Sequence, residues 1–306
     1  MKVRTLAPAK INWTLEVLGK RVDGYHEIKS VMQTITLCDE IEVTKKEEGS
    51  GKLGAGESVV TGWVTLAVEG EHQASRDDLT FRAVQALEEV EGRQSPVAIR
   101  LVKRIPVGAG LGGGSSDAAA VLRTVNVLFD LGYCAERLTG IAAAVGSDVA
   151  FFLHGGTALA EGRGEQITLL PDVPPTWLVL IAPAIRMPDK TKRMYEALKP
   201  EDFTDGERSE ALTARVRASE PIDVASLYNS FERVAYECFA GLAIYRDALF
   251  SAGAPSVHLA GAGPALFGVF ASREDAEAVA DKIKIGRAVV ARTPGAEPAT
   301  RVIEAL

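Results

Sequence analysis

The sequence predicts an α+β protein folded as two lobes. At 306 residues the chain is longer than the size at which one hydrophobic core usually stops growing. Strand patterns and helix patterns are mixed along it, with several hairpins in place of a regular strand–helix alternation. Hydrophobic residues make up 47% and charged residues 25%, a balance that lets a water-soluble chain bury a large core. The change of lobe is expected between residues 155 and 175, and the chain is divided as 1–165 and 166–306.

Near the N-terminus, Pro8 favours an extended entry. Ile11, Trp13, Leu15 and Val17 then alternate with Lys10, Asn12, Thr14 and Glu16, so a strand here puts Lys10 and Asn12 on one face. A lysine on a strand is often merely solvent-facing; the adjacent Asn12 and small neighbours favour a site. Asp23-Gly24 signals a turn, followed by Tyr25 and His26. That pair can stack on and hydrogen-bond a planar ring, or can be ordinary packing, and the residues alone leave both open.

Residues 34–43 and 59–68 are rich in β-branched side chains and read as strands, joined by a polar, glycine-rich connection over 47–58. A helix is expected over 77–90, with Leu79, Ala83, Val84, Ala86, Leu87 and Val90 near one face. A strand over 97–102 leads into "PVGAGLGGGSSDAAAVL", Pro106 to Leu122. From Ser115 a helix is expected, with Ala118, Val121, Leu122, Val125, Leu128 and Phe129 at helical spacing. A further helix begins at 135 and stops near Gly146. The second half reads as strands with tight turns over 151–170, a buried strand over 177–183, and helices over 188–198 and 224–239. A strand–glycine turn–strand follows over 256–270, then a helix over 273–283 and a last strand over 287–293.

A net charge of −7 argues against a nucleic-acid binder, which normally carries a basic stripe, while leaving room for a local basic pocket. The three cysteines are widely spaced, with no metal or disulfide spacing among them. No apolar run is long enough to span a bilayer, and the first residues lack the apolar core of a signal peptide. A cytoplasmic protein with no membrane partner is expected.

Five of the seven residues from Gly108 to Gly114 are glycine, a costly concentration in ordered backbone. Inward N–H groups on such a loop form an anion-binding concavity, and the following helix start adds positive potential. Ser115 and Ser116 suit that start, as caps or as hydroxyls turned toward a phosphate or its metal. Residues 108–113 fit G-x-G-x-x-G, but the acidic partner of a dinucleotide site is missing, since Asp130 falls inside a helical pattern. A Walker loop is excluded because no Gly-Lys-Ser/Thr follows. The loop contains no lysine, so any cation for phosphoryl transfer must come from elsewhere in the chain. Asp148 stands between a helix end and an apolar run, placed either to accept a proton or simply to cap a turn.

Four segments together resemble the successive signatures of the GHMP family of small-molecule kinases. They are "APAKINWTLEVLGKRVDGYHEIKSVMQTI", "PVGAGLGGGSSDAAAVL", "GSDVAFFLHGGTALAEGRGE" and "LAGAGPALFG", and the likeness runs from about residue 6 to 292. The resemblance implies an N-terminal lobe like ribosomal protein S5 domain 2 and a ferredoxin-like C-terminal lobe. It implies transfer of phosphate from ATP, with Mg²⁺, to an alcohol. "GKRVDGYHEI" and "GGTALAEGRGE" point to the 2-hydroxyl of the cytidine diphosphate derivative of methylerythritol, a step of non-mevalonate isoprenoid precursor synthesis, rather than to mevalonate, homoserine or galactose.

Residue by residue, the resemblance makes Lys10 and Asp148 the catalytic pair. Pro106, Val107, Gly108, Ala109, Gly110, Leu111, Gly112, Gly113, Gly114, Ser115 and Ser116 would cradle the ATP phosphates, with Ser116 the one candidate metal contact. Lys103 and Asp78–Leu79 would lie near adenine, although the family usually carries asparagine at Asp78. Asn12, Tyr25, His26 and Tyr195 would form the substrate pocket, His26 reading the cytosine edge. The third signature departs from the family: Ala260, Ala262 and Ala265 stand where hydroxyl residues are usual, so only the main-chain turn can be kept. Either a monomer or a homodimer is compatible. Rival expectations are another alcohol kinase of the same family, or a nucleotide-binding regulatory protein that has lost turnover.

Overall fold

The computed structural model describes residues 1–46, 58–70, 73–295 and 302–305; most of the polar connection expected over 47–58 lies outside them. In chain order the first half contains β1 (Lys2–Lys20), β2 (His26–Lys45), β3 (Ser58–Thr61), β4 (Val64–Glu69), α1 (Leu79–Glu91), β5 (Val97–Val102), α2 (Gly113–Leu128), α3 (Ala135–Val145), α4 (Ser147–His154), β6 (Thr157–Gly162) and β7 (Gln166–Leu170). The second half contains β8 (Trp177–Ala182), α5 (Lys190–Ala197), α6 (Glu207–Arg217), β9 (Tyr228–Asn229), α7 (Glu232–Cys238), α8 (Leu242–Ala252), β10 (His258–Leu259), β11 (Leu266–Phe270), α9 (Arg273–Lys282), β12 (Arg287–Arg292) and β13 (Val302–Ala305).

The alternation from Lys10 onward does produce a strand, and a very long one. β1 and β2 form an antiparallel hairpin closed by Asp23 and Gly24, whose φ of +86° suits glycine. Pairing is irregular at Pro8/Lys10, Asn12/Thr14 and Val17/Gly19. Such irregularities bend and twist a strand. The larger sheet runs β13-β1-β2-β5-β4-β3, with β6 and β7 continuing from the first half of β2 and β9 lying parallel to β1. Helices α1 to α4 pack against it around Leu66, Leu87, Ile99, Phe151 and Phe152.

The smaller sheet is antiparallel in the order β10-β11-β8-β12. With helices between β8 and β10 and between β11 and β12, it has the βαββαβ connectivity of a ferredoxin-like lobe. The apolar face of β1 joins the two lobes. Ile11 and Trp13 are fully buried among Leu178, Leu180 and Phe267, and the Trp13 ring meets Phe267 edge-on at 6.2 Å. The opposite, polar face is also covered. Glu16 accepts the Ser209 N–H at 2.7 Å, and Thr14 accepts from the Ser209 hydroxyl at 2.8 Å, both from α6.

Several elements differ from the sequence expectation. Helix α2 begins at Gly113, not Ser115, because the tail of the glycine run is already helical. Residues 151–154 are helical, not extended: within α4 the run from Val149 to Leu153 is apolar and wholly buried, so periodicity gives no signal there. Only 232–238 of the helix expected over 224–239 is α-helical; Tyr228 and Asn229 are extended and pair with β1. Helices α6 and α8 were not anticipated. The 165/166 division falls in the turn of the β6–β7 hairpin, and the chain enters the smaller sheet at β8. Among the described residues no helix is long and apolar enough to cross a membrane.

One buried ionic cluster fixes α2 against the larger sheet. The Lys103 ammonium, just beyond β5, sits between Asp39 of β2 and Asp117 of α2, 2.7 Å from the latter. Asp39 also accepts the Arg104 and Ile105 backbone N–H groups at 2.5 and 2.8 Å. Burial and the neighbouring Asp39 charge push the Asp117 carboxyl well above the usual range. Burial opposes the Lys103 charge, but the two carboxylates outweigh it and raise Lys103 above the ordinary lysine value. Replacing Lys103 by Met leaves two buried carboxylates without a cation. We expect unfolding stability to fall by about 3–5 kcal/mol in urea melts, and an unchanged midpoint would show that the cluster does not hold the helix.

Candidate active site

Between the lobes lies a cavity of about 1270 Å³. Its floor is the glycine loop, residues 106–115. Lys10, Asn12 and Asp148 line it, with Gly261 beside Lys10, whose Nζ would lie 3.0 Å from a β-carbon there, and Ala262 next to it. Tyr25, His26, Tyr195, Phe203 and Phe231 form one end, and Asp77 to Leu79 with Lys103 form the other.

Backbone contacts shape the loop. The Lys10 N–H donates to Leu111 O at 2.9 Å, and the Ala265 N–H donates to Ala109 O at 3.0 Å. The loop is thus stitched between β1 and the turn at 260–265. Gly108, Gly110 and Gly112 have φ of +74°, +90° and +74°. A β-carbon on Gly110 would lie 2.2 Å from Ala260 O, and one on Gly112 would lie 2.7 Å from the Phe152 ring. These two glycines are therefore required by neighbouring protein as much as by any ligand. Gly108, with nothing within 4 Å of its would-be β-carbon, is the open one.

Helix α2 starts from Gly112 with no side-chain cap. Its first-turn N–H groups have no partner inside the helix, and its positive end faces the cavity. The two serines separate here. Ser115 lines the cavity, while Ser116 is fully buried with its hydroxyl unpartnered. The turn at 260–265 keeps its shape without hydroxyls, because Asn229 Nδ2 donates to Leu259 O at 2.9 Å and to Gly261 O at 2.8 Å.

Lys10 and Asp148, far apart in sequence, meet with Nζ and Oδ2 3.9 Å apart. Lys10 is 5% exposed and donates to Asn12 Oδ1 at 2.8 Å; Asn12 Nδ2 in turn donates to Ser30 Oγ at 2.8 Å. Asn12 is thus a tether for Lys10 as well as part of the cavity wall. Burial pulls Lys10 below the ordinary lysine value, against the attraction of Asp148. No side-chain cap closes the start of α4, so Asp148 faces the lysine and does not cap its helix.

At the aromatic end, His26 stacks on Tyr195 with centroids 4.6 Å apart and planes 19° apart. Phe231 holds the Tyr195 edge at 4.9 Å. Burial, then the charge of Lys20, lowers His26 below its ordinary value, so its ring is neutral near pH 7 and offers one donor and one acceptor. Tyr25 is 57% exposed on the rim, with the Arg163 guanidinium 4.8 Å from its ring centroid. His26 is thus packed, and Tyr25 is exposed.

Lys103 lines the cavity but is already held by Asp39 and Asp117. Asp78 caps α1 by accepting the Thr80 N–H at 3.0 Å. Sequence reasoning missed Lys190, Arg163, Phe203 and Phe231. Lys190 stands in "PDKTKR" near Lys192 and Arg193, and nothing in the pattern separates the half-buried cation from its exposed neighbours. Gly110→Ala is expected to destabilise the fold by about 1–3 kcal/mol, from left-handed strain alone, and to weaken binding of a non-hydrolysable ATP analogue. Unaltered melting and analogue titration would show that the loop is free to shift.

Comparison with known proteins agrees with this geometry. Residues 78–156 match the family model for the GHMP kinases N terminal domain, and residues 214–287 match that for GHMP kinases C terminal. A 4-diphosphocytidyl-2-C-methyl-D-erythritol kinase of Dehalococcoides mccartyi (strain CBDB1) is 41% identical over 277 residues, covering 90% of this chain and 91% of the relative. One from Geobacter metallireducens is 40% identical over 285 residues, covering 92% and 95%. A crystal structure of 4-(cytidine 5'-diphospho)-2C-methyl-D-erythritol kinase superposes with a TM-score of 0.75 at 34% identity, over 96% of this chain and 100% of that one. A homoserine kinase from Cytophaga hutchinsonii shares the fold, with a TM-score of 0.70 at 17% identity, over 99% and 97%.

Proposed function

This chain belongs to the GHMP kinases, and from that premise we propose that it uses ATP to phosphorylate the 2-hydroxyl of 4-diphosphocytidyl-2-C-methyl-D-erythritol. The observation that carries the reading is one cavity holding three things. An uncapped helix start behind a glycine loop suits the phosphates of ATP. A buried lysine faces a carboxylate where the hydroxyl must arrive. A cluster of His26, Tyr25 and Tyr195 suits a planar base.

Phosphoryl transfer is mostly positioning and charge neutralisation. The N–H groups of the loop and of the first turn of α2 hold the triphosphate. His26, neutral and fixed by Tyr195, presents a donor and an acceptor to the cytosine edge, and Tyr25 stacks on the base from the rim. Asp148 accepts the proton of the 2-hydroxyl, and Lys10, aimed by Asn12, steadies negative charge on the phosphoryl group in flight.

Among the described residues no three His, Cys, Asp or Glu side chains gather into a metal cluster. The oxygens that line the cavity beside the loop include the Asp148 carboxylate and the Ser115 hydroxyl. Mg²⁺ prefers such oxygens and usually keeps only one or two protein ligands beside substrate phosphates. This set therefore fits Mg²⁺ brought in on ATP and held by Asp148 and Ser115, where it would neutralise phosphate charge; Ser116, expected as the metal contact, is buried outside the cavity lining.

A coupled ADP-release assay tests the reading. Turnover is expected with the cytidine diphosphate alcohol and not with mevalonate or homoserine, and is expected to require Mg²⁺; preference for another alcohol would replace the substrate. Asp148→Asn and Lys10→Ala should each lower kcat by at least about 10²-fold with ATP-analogue binding retained, and near-normal kcat in both would remove the pair from the mechanism. Tyr25→Ala should weaken cytidine-ligand binding by about 1–3 kcal/mol, measured by calorimetric titration, with kcat little changed.

A further inference from the structure

We infer that Lys190 is a second phosphate-binding cation of this site, locked onto both glycine-containing loops and gripping the phosphoryl group that moves from ATP to the acceptor hydroxyl. The inference rests on the kinase reading above and adds a residue to it. Lys190 opens α5 in the C-terminal half, directly after Asp189, whose φ is +50°. Its Nζ donates to Gly108 O at 2.9 Å and to Gly263 O at 2.5 Å. One ammonium thus bridges the loop that cradles phosphate and the turn that packs on it.

An ammonium carries three N–H donors and no acceptor. Two of the three are engaged by these carbonyls, and Lys190 lines the cavity. Among the described residues no carboxylate lies within ion-pair distance of it. The ionisable groups acting on it are Lys10 of β1, which repels it, and Asp148 of α4, which attracts it from beyond ion-pair distance. The glycine loop from Pro106 to Gly114 and the turn from Ala260 to Ala265 contribute carbonyls but no charged side chain. Burial, reinforced by Lys10, lowers Lys190 to about 8. A half-buried cation whose partners are carbonyls and not an anion carries a desolvation cost, and the cost is relieved when an anion arrives.

Two other lysines beside the loop are already engaged. Lys103 is held between Asp39 and Asp117. Lys10 is engaged with Asn12 and Asp148. A triphosphate meeting a substrate diphosphate concentrates more negative charge than Lys10 alone can balance. Both molecules carry phosphate, so the source must be distinguished. The position of Lys190, electrostatically coupled to Lys10 and Asp148 and bonded to the glycine loop, favours the transferring group over the diphosphate of the cytidine substrate.

The test compares the wild type with Lys190→Met and Lys190→Arg. For Lys190→Met, kcat is expected to fall by about 10²–10³-fold and affinity for a non-hydrolysable ATP analogue by about tenfold, while CDP affinity stays near wild type. Lys190→Arg keeps the charge and should recover most of kcat. The wild-type kcat/KM should decline as pH rises through about 8, where Lys190 loses its proton, and Lys190→Arg should lose that alkaline limb. Four results would overturn the inference: near-normal kcat in Lys190→Met; loss of CDP affinity with kcat intact, which gives the residue to the substrate diphosphate; equal damage in both variants with a lowered melting point, which makes it a structural tether; or an alkaline limb unmoved in Lys190→Arg. If Lys190→Met does not fold, the Lys190→Arg profile decides. If the wild type does not turn over the cytidine substrate, the functional reading fails by itself, and analogue affinity still tests Lys190.

Discussion

The site depends on one mechanical constraint: the glycine loop is clamped between a strand from the start of the chain and a turn from near its end. The Lys10 N–H holds Leu111 O, and the Ala265 N–H holds Ala109 O. With Gly110 pressed against Ala260 O, there is no room for a side chain at the crossing. A loop held on both sides presents its N–H groups in one arrangement. Preorganised donors of this kind stabilise developing charge without reorganising at the moment of reaction.

The clamp also sets the electrostatics. The chain as a whole carries a net charge of −7, yet Lys10 and Lys190 converge on the cavity with Asp148. Lys10 is buried and Lys190 half-buried, and each has its charge opposed by that desolvation. Lys103 contrasts with them, because two carboxylates neutralise it in place. The same residue type thus serves two ends, and the difference lies in what surrounds each ammonium. A neutralised lysine fastens α2 to the sheet, whereas an under-neutralised one is a site for an anion.

The long first strand couples the lobes to this chemistry. Its apolar residues Ile11 and Trp13 are buried against the smaller sheet, while Lys10 and Asn12 line the cavity. Period-two alternation makes that division unavoidable: a slip of one residue would turn Lys10 into the core and Ile11 into the cavity. The polar positions further along, Thr14 and Glu16, are met by Ser209 of α6, so the second half of the chain fixes the strand on that face as well.

The sequence by itself determined the α+β class, the strand alternation that puts Lys10 and Asn12 together, the glycine loop and the helix after it. These are local properties, set by side-chain period and by the conformational freedom of glycine over a few residues. It also marked Asp148, His26, Tyr25 and Tyr195 as candidates, through their resemblance to family signatures. It did not show the helix at 151–154, which continues a buried apolar run, nor α6, whose buried face mixes Leu212 and Val216 with Ser209 and Thr213. Only the tertiary structure decided that Lys10 faces Asp148, that His26 stacks on Tyr195, that Lys103 is neutralised and that Lys190 is not. Each of those depends on groups tens to hundreds of residues apart, and burial and charge pairing across such distances belong to the fold, not to any stretch of sequence.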